Sequence, residues 1–443
     1  MHHDFSWVDT YFEKVRPYIY VREEDLLLIK RPNEVHKLNN TGAFILRKLL
    51  AGAKISTLLK SLNDPEKELQ VYQFLKTIRD NIEGKSLSPY DNPALTTVPF
   101  DGMPSMFPVL SEIAITYRCN LNCAFCYAGC NQNNILQVSQ EELSTEEIKS
   151  IIHKIFHQAK VPSISFTGGE PTLRKDLPEL IACAKSFGMR VNLISNGTLI
   201  DDAKASELKD AGLDSAQISI EGVTATTHDR LVKHHGAFVK AINAIHSLKK
   251  AGIHTHSNTT LNRGNVHEAT LFPEFVRNTL ENDRFSMNMM IPSGSASVNS
   301  FLVLHYSEMG EIVKGIITAS EKAHVKFMWY SPLPLCMFNT ITHGLGNKGC
   351  AACDGLLSVD AAGNILPCSS YNETVGNLLN NNFDEIWHEE KAVYYQTKSF
   401  AYPFCKSCEH FSVCQGACPI YWQNQGYSEL ENTIRQQQQK TTI

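Results

Sequence analysis

The sequence predicts an α/β protein: a curved partial barrel of six strand–helix units, preceded by a small winged-helix-like module and followed by a cysteine-rich segment. Three observations carry this. Between residues 109 and 330, short apolar runs alternate with longer segments of helical period, the pattern of a parallel sheet with crossover helices. Before that stretch, two strand-like runs precede three short amphipathic segments. After it the alternation fades and cysteines crowd together. Of 13 cysteines, three lie between residues 119 and 126 and eight from residue 336 onward.

Residues 1–85 form the first module. Tyr18–Val21 and Asp25–Ile29 read as strands around a polar turn. Thr41 can cap a helix carrying Phe44, Ile45, Leu49 and Leu50 on one side, with Gly52 at its end. Ile55, Leu58, Leu59 and Leu62 suit a second helix, and Asp64-Pro65 opens a third with Leu69, Tyr72, Leu75, Ile78 and Ile82. Residues 86–108 hold Pro89, Pro93, Pro99, Pro104 and Pro108 and read as a linker. In the barrel, residues 109–330, strands are expected at Glu112–Thr116, Ser163–Phe166, Arg190–Ile194, Ser215–Ile220, His254–Thr259 and Phe285–Met290. Helices fit between them at Thr145–Gln158, Leu177–Phe187, Asp201–Ala211, Phe238–Ala251 and Glu268–Leu280. Residues 331–425 form the cysteine-rich domain. The tail, 426–443, carries Gln436 to Gln439 in a row and is expected to fray.

Composition bounds the function. A chain of 443 residues implies two to four domains. With 43% hydrophobic and 20% charged residues it suits a globular protein, and a net charge of −5 gives no general reason to bind nucleic acid or anionic lipid. No apolar run approaches the ~20 residues that span a bilayer. The start, Met-His-His-Asp-Phe-Ser-Trp, lacks a basic n-region and an apolar h-region, so the expected location is cytoplasmic. Cysteines in that compartment argue for metal or redox chemistry over disulfides.

The run Arg-Cys-Asn-Leu-Asn-Cys-Ala-Phe-Cys-Tyr places Cys119, Cys123 and Cys126 directly after the first barrel strand. An iron–sulfur cluster normally takes four cysteines. Three thiolates on a four-iron cubane leave one iron open to another ligand, as in open catalytic metal sites. A zinc half-site fits less well, because zinc usually pairs two C-x-x-C units. Cys130 reads as a bystander, since a fourth protein ligand would block the open iron. The second strand ends in Thr167-Gly168-Gly169-Glu170-Pro171. Two glycines let backbone approach a ligand closely, and Glu170 can accept a hydrogen bond from an ammonium group. The third strand ends in Ser195-Asn196-Gly197-Thr198 and the fourth in Ser219-Ile220-Glu221-Gly222, followed by His228-Asp229-Arg230. Four polar strand ends thus converge on the C-terminal mouth of the barrel, where such folds place their chemistry.

Together, the three-cysteine motif and the Gly-Gly-Glu strand end resemble the radical S-adenosylmethionine (SAM) superfamily over residues 109–330. The resemblance implies a partial (β/α)6 TIM-like barrel. It implies a [4Fe–4S] cluster on Cys119, Cys123 and Cys126, with SAM on the open iron. Phe125 would contact the adenine, and Gly168, Gly169 and Glu170 would hold the methionyl amino group. Ser195, Asn196 and Ser219 would approach the ribose or carboxylate, and Arg230 the carboxylate. A 5′-deoxyadenosyl radical would then abstract hydrogen from an unactivated carbon, fed by an electron donor such as flavodoxin or ferredoxin.

Cys353, nine residues, Gly363, four residues and Cys368 are followed by Cys405-x-x-Cys408-x5-Cys414-x3-Cys418. Structural zinc is the plain reading of paired cysteines, but the spacing resembles the SPASM auxiliary-cluster domain, which usually holds two [4Fe–4S] clusters. One would use Cys353, Cys368 and Cys418 with an upstream cysteine, Cys350 in preference to Cys336. The other would use Cys405, Cys408 and Cys414. The family usually carries a further cysteine after the position of Cys418, and this chain has none. A carboxylate or other group could complete that cluster, an iron could stay open, or the cluster could fail to assemble. One or two auxiliary clusters are therefore expected, taking an electron from the substrate or binding a substrate thiolate.

Finally, Val35-His36-Lys37-Leu38-Asn39-Asn40-Thr41-Gly42 followed by Phe44-Ile45-Leu46 resembles the peptide-recognition domain typified by the pyrroloquinoline-quinone peptide chaperone. Such domains bind the leader of a ribosomally made precursor peptide, here by strand addition at a sheet edge; a structural cap is the plainer role. The expectation is a radical SAM/SPASM maturase of a precursor peptide. The alternatives are a radical SAM/SPASM enzyme acting on a folded protein or tetrapyrrole-like molecule, and a non-catalytic leader-binding or cluster-carrier protein.

Overall fold

The structure is a computed structural model that describes residues 3–32, 34–60, 64–85, 106–130 and 142–441, without the side chains of the last two. The chain divides into two compact units, Met1–Asp101 and Gly102–Ile443. Most of the expected linker, residues 86–105, lies outside the described residues.

The N-terminal unit holds strands β1 (Ile19–Arg22), β2 (Leu27–Lys30) and β3 (Glu34–Lys37) in one antiparallel sheet of that order. Helices follow at Asn40–Leu50, Ile55–Leu59 and Pro65–Ile82. A helix at Val8–Val15 was not expected; its buried Val8, Phe12 and Val15 join the unit's core. Asn39, not Thr41, caps the second helix, its side chain accepting from Gly42 N–H at 2.7 Å. Packing selects Ala43, Ile45, Leu46 and Leu49 as the buried face, while Phe44 stays 49% exposed. The helix Pro65–Ile82 is capped by Asp64 as expected.

In the second unit, β4 (Leu110–Thr116), β5 (Ser163–Gly168), β6 (Arg190–Ser195), β7 (Ser215–Ser219), β8 (His254–Leu261) and β9 (Arg284–Met289) pair in parallel in that order. All six expected strands are present. Residues such as Ile113, Ile115, Ile164, Phe166, Val191, Leu193, Ala216 and Ile218 are buried, as a parallel sheet covered by helices requires. The helix Thr145–His157 opens on a capping box between Ser144 and Glu147. A seventh strand, β10 (Lys326–Trp329), adds in parallel to β9 after the helix Tyr306–Ala323. At the other edge, β11 (Leu356–Val359) pairs in parallel with β4, then β12 (Asn364–Leu366) and β13 (Gly376–Asn377) follow antiparallel. The cysteine-rich segment therefore continues the barrel sheet. Lys154 Nζ ties it to the first barrel helix through the carbonyls of Leu378 and Asn381.

A second expectation is corrected. Among the described residues of the tail, Ser428–Thr441 is a helix rather than frayed chain, docked through buried Leu430 and Ile434. Its glutamines are exposed on that helix rather than in a coil, with Gln437 also bonding the carbonyl of Cys336.

Candidate active site

The Cys119–Cys126 loop leaves β4 and is gripped from several strand ends. Gly169 N–H donates to Thr116 O at 2.7 Å, and Glu170 N–H to Arg118 O at 2.8 Å. Gly168 has φ +131°, and a Cβ there would stand 2.1 Å from Thr116 O; one on Gly169 would stand 2.2 Å from Arg118 O. The glycines thus let β5 close on the backbone leading into Cys119. Farther along, Asn122 and Ala124 N–H bond the carbonyls of Val232 and Leu231, at the end of the helix Ala225–Val232. The loop after β9 clasps the far side: Ser295 N–H donates to Cys126 O at 2.8 Å, and Asn299 Nδ2 to Ala124 O at 2.9 Å. Gly294, at φ +52°, sits where a Cβ would be 2.2 Å from Tyr127 O. Half-buried Cys119, Cys123 and Phe125 pack on Leu121, Val232 and Ala237.

Backbone N–H groups face the thiols. Leu121 N–H donates to Cys119 Sγ at 3.4 Å, and Asn196 Nδ2 lies 4.0 Å from the same sulfur. A hydrogen bond from Cys130, with burial opposing and N–H groups of residues 130, 128 and 129 adding, pulls the Cys126 thiol down to about 6. Burial pushes Cys119 up to about 11 and Cys123 well above the ordinary thiol range. Iron ligation removes these protons outright, so the N–H donors on sulfur are what matter for a bound cluster. Cys130 is thus placed as a hydrogen-bond donor beside Cys126.

Glu170 is fully buried. Its Oε1 accepts from Thr172 N–H (3.1 Å), Thr172 Oγ1 (2.5 Å) and Ser195 Oγ (2.8 Å), and its Oε2 from Asn196 N–H (2.8 Å). Burial raises its pKa while those donors hold it back. The carboxylate therefore pins β5 to β6 and keeps an Oε2 lone pair for one more donor. Asn196 Nδ2 also donates to Asn120 Oδ1 (2.9 Å), whose own Nδ2 donates to Thr198 Oγ1 (2.8 Å). The structure thus brings Cys119, Gly168, Gly169, Glu170, Ser195 and Asn196 into one network. Ser219 ends β7, half-buried. Arg230 is exposed and spends one N–H on Gly264 O at 2.8 Å.

Sequence reasoning passed over Asn120, Gly294 and Asn299. Pro292-Ser293-Gly294 after the sixth strand was a readable turn signal; Asn299 left none. It also gave no role to Glu221, whose Oε2 accepts from Thr260 N–H at 2.9 Å. Burial pushes that carboxyl up to about 8, and it lies near enough to act on Cys123.

The C-terminal cysteines fall into two groups. Cys350 lies close enough to act electrostatically on Cys353, Cys368 and Cys418, and burial raises all four thiols, Cys353 and Cys418 to about 12. Cys353, at φ +47°, closes the base of the β11–β12 hairpin through its N–H to Pro367 O at 3.0 Å. Lys398 Nζ donates to Cys350 O at 2.7 Å and pairs with Asp354 at 3.2 Å. The second group, Cys405, Cys408 and Cys414, lines a cavity of about 610 Å³. Among the described residues, no three His, Cys, Asp or Glu side chains close on one point tightly enough for a single metal ion. A cubane binds each thiolate at a separate corner and so asks for a wider set of thiols than a single ion does.

Comparison with known proteins decides the family. The model of the radical SAM superfamily matches residues 113–270, and that of SPASM, an iron–sulfur cluster-binding domain, matches residues 350–409. The AdoMet-dependent heme synthase of Oleidesulfovibrio alaskensis is 30% identical over 336 residues, 71% of this chain and 83% of that protein. The chain belongs to the radical SAM superfamily. This radical SAM/SPASM enzyme is equally similar to the PqqA peptide cyclase of Rhizobium meliloti, at 30% identity over 71% of this chain and 84% of that protein. In fold it resembles Streptococcus suis SuiB bound to precursor peptide SuiA, with a TM-score of 0.67 and 18% identity over 91% of this chain and 95% of SuiB. SAM and [4Fe–4S] clusters are its cofactors. Among the described residues, no helix is long and apolar enough to cross a membrane.

Proposed function

We propose that the enzyme modifies a ribosomally synthesised precursor peptide, binding its leader on residues 1–85 and its core at the mouth of residues 109–330. The observation that carries this reading is the reach of the SuiB likeness: 91% of the chain is more than Gly102–Ile443 alone supplies, so it extends into the N-terminal unit. That structure holds a precursor peptide. In this chain β3 is an edge strand with three of its four residues exposed, among them Val35 at 42%, and Phe44 is exposed on the helix that follows. Unpaired strand N–H and C=O groups beside exposed apolar side chains suit a peptide adding as a further strand.

In the same reading Cys119, Cys123 and Cys126 hold the cluster, and Phe125, packed beside them, borders the adenine. Gly168, Gly169 and Glu170 present backbone and one free carboxylate lone pair to the methionyl ammonium. Ser195, Asn196 and Ser219 lie toward ribose and carboxylate, with Arg230 free to turn one N–H inward. When bound, SAM and the reduced cluster supply the radical that takes hydrogen from a carbon of the substrate. Residues 331–425 carry the auxiliary clusters, in an enzyme of the cytoplasm served by a donor such as flavodoxin or ferredoxin.

A second reading, a tetrapyrrole-type substrate, is favoured by the heme synthase similarity. Deleting residues 1–85 separates the two. Modification of a short peptide encoded beside the enzyme, read by mass, is expected to disappear while SAM is still cleaved. Peptide modification surviving the deletion would contradict leader binding there.

A further inference from the structure

The second cysteine group lacks the fourth thiolate that its family usually takes from downstream, yet its cavity has one from upstream. Besides Cys405, Cys408 and Cys414, the cavity is lined by Cys336. That residue comes from the segment following β10, almost seventy residues before the rest of the group. A turn presents it: Met337 and Phe338 N–H both bond to Pro334 O, at 2.9 and 3.0 Å, and buried Phe338 anchors its far side. The adjoining Leu335 N–H donates to Cys414 Sγ at 3.4 Å, a bond of the kind that orients and tunes a ligating thiolate. Gln437, on the C-terminal helix, donates to Cys336 O at 3.2 Å, and Leu430 and Ile434 of that helix wall the cavity. Cys336 is open to the cavity but hemmed in by protein behind. That desolvation, with the nearby Cys414, Cys405 and Cys408, raises its thiol to about 12. The other candidate ligands on the wall, Glu409 and His410, are 86% and 69% exposed and reach toward each other at 3.6 Å.

We propose that Cys336 is the fourth ligand of the second auxiliary [4Fe–4S] cluster, completing Cys405, Cys408 and Cys414, while Cys350 belongs to the first auxiliary group. An upstream cysteine then takes the place of the missing downstream one. The cluster is coordinatively complete, so a substrate group could reach its iron only by displacing a thiolate.

The inference rests on the cluster-bearing reading of this domain. Anaerobically reconstituted full-length protein is alkylated with iodoacetamide and mapped by mass spectrometry, with chelator-stripped protein as reference. Cys336 should label at least about tenfold more slowly in the cluster-loaded protein, together with Cys405, Cys408 and Cys414, while Cys183 labels alike in both. Cys336 labelling freely while the other three stay protected would overturn this assignment and leave the cluster reading standing. Protection of none of the four would overturn both. As an independent readout, Cys336→Ala should lose about a third of the iron or change the auxiliary EPR signal, and Glu409→Gln should do neither. Unaltered iron and EPR in Cys336→Ala, or the change appearing in Glu409→Gln instead, would also overturn it.

Discussion

The cysteine loop at residues 119–126 and the cysteine-rich segment from residue 336 solve one problem in opposite ways. In the loop, three thiols come from eight consecutive residues, and the fold's task is to hold that short run still. It does so with backbone from β5, from the end of the helix Ala225–Val232 and from the turn after β9. In the C-terminal region, thiols come from five separated stretches and the fold's task is to collect them. There the β11–β12 hairpin, the segment after β10 and the C-terminal helix do the gathering. A local set of ligands leaves one iron free by its sequence; a dispersed set is completed only where tertiary structure brings a further side chain.

This contrast can be broken at either end. The largest effect is expected from Gly168→Ala. The residue sits at φ +131° and its new Cβ would meet Thr116 O at 2.1 Å, so about 3 kcal/mol or more should be lost and the loop displaced. Thermal melting and SAM-dependent EPR changes check this; the C-terminal clusters should still assemble. Next comes Lys398→Met, which leaves Asp354 short of a cation and Cys350 O short of a donor, at roughly 2 kcal/mol. Iron analysis should show loss confined to the auxiliary clusters, with the loop cluster intact. Loss of all clusters together in either variant would mean the two regions are not independent.

The smallest effect is a pH slope. His228 is buried and accepts Glu221 N–H at Nδ1, at 3.0 Å, and burial lowers its pKa from 6.5 to about 4. The folded form holds it neutral, so its contribution is complete above about pH 6.5. It declines as acidification toward pH 4 protonates the unfolded chain first. His228→Asn should flatten the acid side of the melting-temperature curve relative to the parent.

The same contrast explains what the sequence made legible. Cys119, Cys123 and Cys126 were readable because their spacing is local and a strand precedes them, and Gly168-Gly169-Glu170 because it ends the next strand. That these glycines also let β5 close on the carbonyls of Thr116 and Arg118 is a tertiary contact no spacing could reveal. Cys336 was legible only as the lesser candidate for the other auxiliary cluster, and its place beside Cys405, Cys408 and Cys414 was not legible, for the opposite reason. Its partners are about seventy residues away, and the strand β10 that carries the chain toward them follows a helix the periodic reading did not single out. The C-terminal helix is not legible in the sequence, because four glutamines mask the Leu430 and Ile434 spacing that docks it. In the N-terminal unit, Phe44 and Ile45 are adjacent apolar residues about 100° apart, and only packing against the rest of the unit decides that Ile45 is buried and Phe44 exposed.

The central claim is that the three-cysteine loop carries the cluster on which SAM is cleaved. Anaerobic incubation of reconstituted protein with dithionite and SAM, followed by quantification of 5′-deoxyadenosine, tests it most directly. The parent should form 5′-deoxyadenosine and Cys123→Ala none, while the variant keeps its auxiliary iron. Equal 5′-deoxyadenosine from parent and variant would contradict the account.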